Sequence, residues 1–428
     1  MRHQAIPSVL FTLNRERLRA RLAPHALALV QANDLLATNA DGTAAYAPNS
    51  DLFYLTGVEQ EESILLLAPD AHDEKQREIL FLRETNETIA QWEGHKLTRE
   101  EARALTGIAQ VKWLSEFPSI FRGLMCEAES VYLNTNEHRR ASVQSESRDE
   151  RFIRETQQRY PLHRYERLAR IMHALRAEKS EHELALIRKA VEITREGFDR
   201  VAGFAKPGIN ECEIEAEFAH EFIRQRARFA YQPIIASGKN ACVLHYVEND
   251  QPCRKGDLLL LDVGASYANY NADVTRTLPV GGRFTPRQKE VYAAVLRVLR
   301  RSIDALAPGK LPKDWQKEAE GFMQEELLGL GLLKPRDIKK QDPDKPALKK
   351  YFMHGIGHPL GLDVHDVATF GAPFAPGWVM TVEPGIYIPD EGLAVRLEDD
   401  VLITESGNVN LTSAIPIDIG AIEALMKR

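Results

Sequence analysis

Cysteine is scarce. The 428 residues hold four, Cys126, Cys212, Cys242 and Cys253, and no C-x-x-C pair. That excludes a disulfide scaffold and a zinc site built from thiolates. There is no basic excess either. Fifty-five Lys and Arg stand against 62 Asp and Glu, a net charge of −7, so no general nucleic-acid face is expected. No apolar run is long enough to span a bilayer. The opening stretch MRHQAIPSVLFTLNRERLRARL lacks a long apolar segment before a small-residue cleavage site, which argues against secretion. What is present is ordinary: 44% apolar and 27% charged residues. This is the make-up of a cytoplasmic, enzyme-sized protein with reduced thiols, free of membrane and nucleic acid.

The length suggests two or three domains at roughly 150 residues each. Residues 1–170 read as a smaller α/β domain. Strands are expected at 27–34, 63–70 and 78–84. Asn49 to Gly57 reads as a polar turn into an apolar stretch. Residues 136–166 are arginine-rich and promise little core, so the boundary is placed near there. Residues 175–428 form the second domain. Ser180 with Glu183 has capping-box spacing, and Leu184, Ile187, Val191, Phe198 and Val201 follow at helical intervals. Asn210 with Glu213 opens a second helix. After a strand-rich stretch the order returns: a helix from Pro286 through Ala307, another over 313–329, a loop over 334–350, then strands.

The likeness reaches single residues. Gly256 to Gly264 aligns without gaps on Gly377 to Gly385, and both read G-x5-acid-x-G. Residues 175–428 are therefore read as two copies of one helix–helix–strand unit. In each copy the acid, Asp262 or Glu383, closes an apolar strand, where a carboxylate is costly unless paired or bound to metal. Each copy then offers a second acid, Asp273 or Glu398. Strand alternation puts Arg396 on the face of Glu398. One arginine cannot balance four inward carboxylates, but two divalent cations can. Between the acids lies a loop with His354, His358 and His365, and His245 precedes the first strand. Any one of these residues alone is more often a turn or core group than a ligand; the duplicated pattern carries the metal reading. Oxygen-dominated ligation with one imidazole suits Mn2+, Co2+ or Zn2+.

At these residues the sequence resembles the pita-bread metallopeptidases, which include aminopeptidase P, prolidase and methionine aminopeptidase. LLLLDVGASYANYNADVTRT resembles the family's two-aspartate hairpin and HGIGHPLGLDVHD its histidine segment. TVEPGIY resembles its glutamate strand and VRLEDDVLIT its last ligand strand. The resemblance implies an α/β (α+β) chain whose C-terminal pita-bread fold has an internal pseudo-two-fold repeat. It implies two metal ions, Mn2+ first, on Asp262, Asp273, His358, Glu383 and Glu398, with Asp273 and Glu398 bridging. It also implies that His245, His354 and His365 line the substrate site, with Tyr387 and Arg396 supporting it. A metal-bridging hydroxide would attack the Xaa–Pro bond, and Glu383 would shuttle the proton. The N-terminal domain narrows the choice to aminopeptidase P or prolidase. Trp92, in QWEGHK, and the HYVEND context of His245 are nearer the former. Proline-containing peptides are the expected substrates and a homodimer or homotetramer the expected assembly. A metal-free pita-bread binding protein is the non-enzyme alternative.

Overall fold

The computed structural model describes residues 3–141 and 145–427. It divides into two compact units, His3–Arg176 and Ala177–Arg428. None of the described helices is long and apolar enough to cross a membrane.

The first unit is built on a six-stranded mixed sheet. Its strands are β1 (Ala26–Gln31), β2 (Ile64–Leu67), β3 (Glu78–Leu82), β4 (Gln110–Trp113), β5 (Ser130–Leu133) and β6 (Arg164–Arg167), in the order β4-β3-β2-β1-β5-β6. Leu27 and Leu29, Ile64 and Leu66, and Ile79 and Phe81 alternate into one core layer with Phe121 and Leu124. The residues between them are buried too, because both sheet faces are covered; that is why these strands read as unbroken apolar runs.

Two expectations need correction here. Asn49 to Gly57 is a helix, Ser50–Thr56, and not a turn. The Asn49 side chain caps it by accepting from the amides of Asp51 and Leu52, and Gly57 ends it at φ +71°. The arginine-rich stretch, whose residues 142–144 lie outside the described residues, does contribute core. Ser147 and Glu150 form a capping box for the helix Arg148–Arg159. Phe152, Ile153 and Tyr160 pack from it onto the sheet core. The apolar stripe was hidden because it is narrow and the arginines fill the rest of the helix.

In the second unit both capping boxes form, at the starts of the helices Glu181–Phe204 and Glu211–Arg224. Phe198 and Phe218 join these helices edge to face, their ring centroids 5.2 Å apart. The strands β7 (Arg228–Phe229), β8 (Ile234–Ser237), β9 (Leu258–Asp262), β10 (Ala265–Tyr267), β11 (Tyr270–Asn271) and β12 (Thr275–Pro279) follow. The second copy begins with the helices Pro286–Asp304 and Pro312–Gly329, the first ending three residues before the expected Ala307. The expected loop over 334–350 holds a short helix, Pro335–Lys340, and a 3-10 turn, Ala347–Lys350. Pro335 suits the first helical position, and Asp337 accepts from the amide of Lys334. Then come β13 (Val379–Val382), β14 (Gly385–Ile388), β15 (Leu393–Arg396), β16 (Asp399–Thr404) and β17 (Gly407–Asn410).

The duplication takes the form of two kinked hairpins. In the first, β9 pairs with β12, and beyond the kink β10 pairs with β11. In the second, β13 pairs with β16, and beyond the kink β14 pairs with β15. The repeated glycines have physical reasons. Gly256 and Gly377 enter each hairpin at φ +95° and +88°, which disfavours any side chain. At Gly264 an added Cβ would sit 1.7 Å from the Ala272 carbonyl oxygen, so only glycine lets the kinked strands pass.

Candidate metal centre

The four acids occupy the kinks. Asp262 ends β9 and Asp273 precedes β12; Glu383 follows β13 and Glu398 precedes β16. Where a strand leaves one sheet for another its side chains are not spent on ladder packing, so both hairpins aim carboxylates at one place. The hairpins are stitched together beside it. Glu398 N donates to Thr275 O. Arg276, itself buried, donates to the Glu398 carbonyl and pairs with Asp399 at 2.7 Å. Thr277 Oγ1 donates to Arg396 O. Three consecutive residues of the first copy thus hold residues 396–399 of the second.

Ligand atoms of Asp273, His358 and Glu398 lie within 4.8 Å of one another. His358 Nε2 is 3.5 Å from Asp273 Oδ2 and 3.7 Å from Glu383 Oε1. The Tyr231 hydroxyl lies 2.6 Å from Asp262 Oδ1 and 2.5 Å from Asp273 Oδ1. Thr275 Oγ1 donates to Glu398 Oε2 at 2.6 Å. Three of the five expected donors thus form one group, with Glu383 beside His358 and Asp262 joined to Asp273 through Tyr231.

Charge there is unbalanced. Burial raises the carboxyls of Asp262 and Glu398, and lifts Glu383 to about 7. Arg396 offsets this only in part. Its Nη2 reaches Asp262 at 2.5 Å, its Nη1 the Tyr387 hydroxyl at 2.9 Å, and its Nε Thr275 Oγ1 at 3.3 Å. A fifth acid, Asp400, is buried behind them; its Oδ2 accepts from Asp273 N. A set of crowded, desolvated carboxylates with one imidazole is what divalent cations fit.

Hydrogen bonds separate the two histidines that spacing could not. His358 Nδ1 bonds the Pro359 carbonyl at 3.0 Å, and its Nε2 points into the acid cluster, towards Asp273 and Glu383. His354 has both nitrogens engaged, Nδ1 with the Gly355 carbonyl and Nε2 with the Tyr387 hydroxyl at 2.9 Å. Burial, then Arg396, lowers His354 to about 3, so it is neutral. Its His245 neighbour pushes the same way from an exposed loop position. His365, also exposed, sets its ring edge-to-face on His358 with centroids 4.3 Å apart. Trp92 belongs to the other unit and is exposed at the end of the helix Glu87–Glu93.

Sequence reasoning missed Tyr231, Thr275 and Asp400. Asp400 was legible in principle: it stands two residues after Glu398, and alternation gives it the same face. Tyr231 carries no motif, because it joins the site from an irregular segment between β7 and β8.

Comparison with known proteins agrees in both units. The model of metallopeptidase family M24 matches residues 185–405, and that of the aminopeptidase P N-terminal domain matches residues 11–132. The chain is 36% identical over 435 residues to the Xaa-Pro aminopeptidase of Escherichia coli, covering 97% of each. It is 34% identical to that of Haemophilus influenzae, covering 98% of each. Zinc-substituted E. coli aminopeptidase P in complex with product superposes with a TM-score of 0.88 at 34% identity, covering 99% of each chain.

Proposed function

The chain belongs to metallopeptidase family M24, in its aminopeptidase P branch, and on that premise we propose how its own residues work. It is a metal-dependent aminopeptidase that hydrolyses the first bond of peptides with proline second. The observation that carries the reading is the group Asp273, His358 and Glu398, with Glu383 beside His358 and Asp262 joined to Asp273 through Tyr231. Asp262, Asp273, His358, Glu383 and Glu398 would hold two divalent cations, with Asp273 and Glu398 between them. Mn2+ suits this oxygen-rich set, with Co2+ or Zn2+ as alternatives. Bound there, such ions supply an activated water and polarise a carbonyl.

The remaining work falls to side chains. Glu383 is the candidate to carry the water's proton to the leaving proline nitrogen. Its side chain is 22% exposed, against 13% for Asp262 and 7% for Asp273, which makes it the most open of the three. His365 and His245 would stabilise the oxyanion of the tetrahedral intermediate. His354, with no ring nitrogen to spare, would line the site as a neutral wall, held by Tyr387 and through it by Arg396. A proline amide has no N–H, so the pocket needs no acceptor at that atom and can select by shape. Four free cysteines without a pair support a reducing, cytoplasmic setting.

A dipeptidase must offer a cation to the proline carboxylate. In the N-terminal unit Arg151 pairs with Asp34, Arg154 with Glu146 and Arg167 with Glu137, which leaves them committed to partners of that unit. Hydrolysis of Ala-Pro-Ala and Ala-Pro under one metal condition tests the reading. The tripeptide should win in kcat/KM by at least about tenfold, about 1.4 kcal/mol of transition-state preference. A preference for the dipeptide would make the enzyme a prolidase.

A further inference from the structure

The Glu211 carboxylate is fully buried although it is the first residue of its helix, a position that normally faces water. Five donors surround it. Oε1 accepts from the amide and the hydroxyl of Ser237, both at 2.7 Å, and from Asn240 Nδ2 at 3.4 Å. Oε2 accepts from the Tyr246 hydroxyl at 2.8 Å and the Gln251 amide at 3.0 Å. None of these donors is a cation; the positive end of the helix adds to them.

The donors are not scattered. They belong to one segment, 237–251, which runs from the end of β8 towards β9 and carries His245. Ser237 stands at its start, Asn240 in its 3-10 turn, Tyr246 beside His245, and Gln251 at its end. The Glu211 amide returns a bond to Gln251 O at 2.9 Å. The Tyr246 ring is meanwhile buried against Ile234, Leu260 and Tyr387. His245 is therefore an exposed side chain on a loop whose two ends and middle are tied to one carboxylate.

We infer that Glu211 is the positioning residue of His245. A loop of this length has no regular ladder to set its course, and catalytic side chains on loops need a supporting layer of hydrogen bonds. The inference rests on His245 handling substrate, and the experiment separates the two claims.

The variants are E211Q, Y246F, H245A and the doubles E211Q/H245A and Y246F/H245A, each loaded with Mn2+ and assayed for kcat, KM and metal content. E211Q replaces one of the two acceptor oxygens by an NH2 donor, which then faces donors of the segment. It should lower kcat/KM by about ten- to a hundredfold, as expected when a reacting group is misplaced by about an ångström. Metal content should stay at the wild-type level, and the fall should appear in the same parameter, kcat or KM, that H245A moves. Y246F should give a smaller fall of the same kind, and it decides the matter if E211Q does not fold. Both doubles should be no worse than H245A alone. Wild-type kcat/KM in the folded variants, full additivity with H245A, or parallel loss of metal would overturn the positioning role. An H245A variant with wild-type kinetics would instead overturn the assignment of His245 to the substrate site.

Discussion

Tyr387→Phe removes one oxygen and keeps the ring. Tyr387 is fully buried and Phe fills nearly the same volume, so no cavity opens. The lost hydroxyl accepts from Arg396 Nη1 and donates to His354 Nε2, both at 2.9 Å. The first bond is charge-assisted and worth about 1.5–3 kcal/mol; the second is neutral and worth about 0.5–1.5. Together they predict a loss of about 2–4.5 kcal/mol. At about 2–4 °C per kcal/mol for a unit of this size, Tm should fall by about 4–18 °C. Activity should fall further than stability suggests. His354 loses the partner that sets its ring, and Arg396 loses one of the bonds that aim it at Asp262. Supporting bonds of this kind carry about ten- to a hundredfold in activity. Steady-state kinetics on Ala-Pro-Ala, with metal analysis of the same samples, checks this. Metal content should be unchanged, and on an H354A background the substitution should cost less than it does alone, the remainder being the share carried by Arg396. Wild-type kcat/KM, or full additivity with H354A, would refute the chain from Arg396 through Tyr387 to His354.

Other consequences are as direct. Asp273→Ala should empty both metal positions, because Asp273 is proposed to serve both ions; metal analysis that finds one ion still tightly held would sink the bridge. His365→Ala should lower kcat by about two to three powers of ten, the usual cost of losing one oxyanion donor, with little change in Tm. Burial lifts Asp149 to about 7, against the hydrogen bond from Gln31. Its folded state therefore keeps a proton that the unfolded chain releases between about pH 4 and 7, and stability is lost as pH rises through that window. Asp149→Asn copies the neutral form, so its urea midpoint should gain on wild type from pH 5 to pH 8. A gap that is the same at both values would show that Asp149 is not held neutral.

The repeat was legible because glycine and acid recur for reasons that leave a mark. Gly256 and Gly377 need positive φ, Gly264 needs the absence of a Cβ, and each hairpin places a carboxylate at the same turn of the chain. Capping boxes at Ser180 and Asn210 marked helix starts, since the residues that satisfy free amides are few. What stayed hidden depended on contacts made across the chain. Nothing near Tyr231 announces that its hydroxyl reaches Asp262 and Asp273. Nor does HGIGH say which histidine faces the acids; the fold turns His358 towards Asp273 and Glu383 and ties His354 to a carbonyl and a tyrosine hydroxyl. The helix Ser50–Thr56 was missed for a local reason: Asn49 suits a turn and a helix cap equally well, and only the apolar packing of Leu52, Phe53 and Leu55 decides between them.

Metal removal should abolish activity before it disturbs the fold. The seam between the two hairpins does not depend on cations. Thr275, Arg276 and Thr277 hold Arg396, Glu398 and Asp399 through one main-chain bond, a threonine hydroxyl and one buried, paired arginine. Arg396 and Tyr231 already occupy Asp262, and Thr275 already holds Glu398. Protein contacts therefore hold these ligands from several sides, and they are expected to stay in place when ions are removed. The carboxylates that burial raises can take up protons when no cation is present, which relieves their repulsion without unfolding. A chelated sample should keep its near-ultraviolet circular dichroism, show a lower Tm by simple linkage, and regain activity when Mn2+ returns. Loss of the near-ultraviolet signal on chelation would mean that the ions, and not the seam, hold the hairpins together.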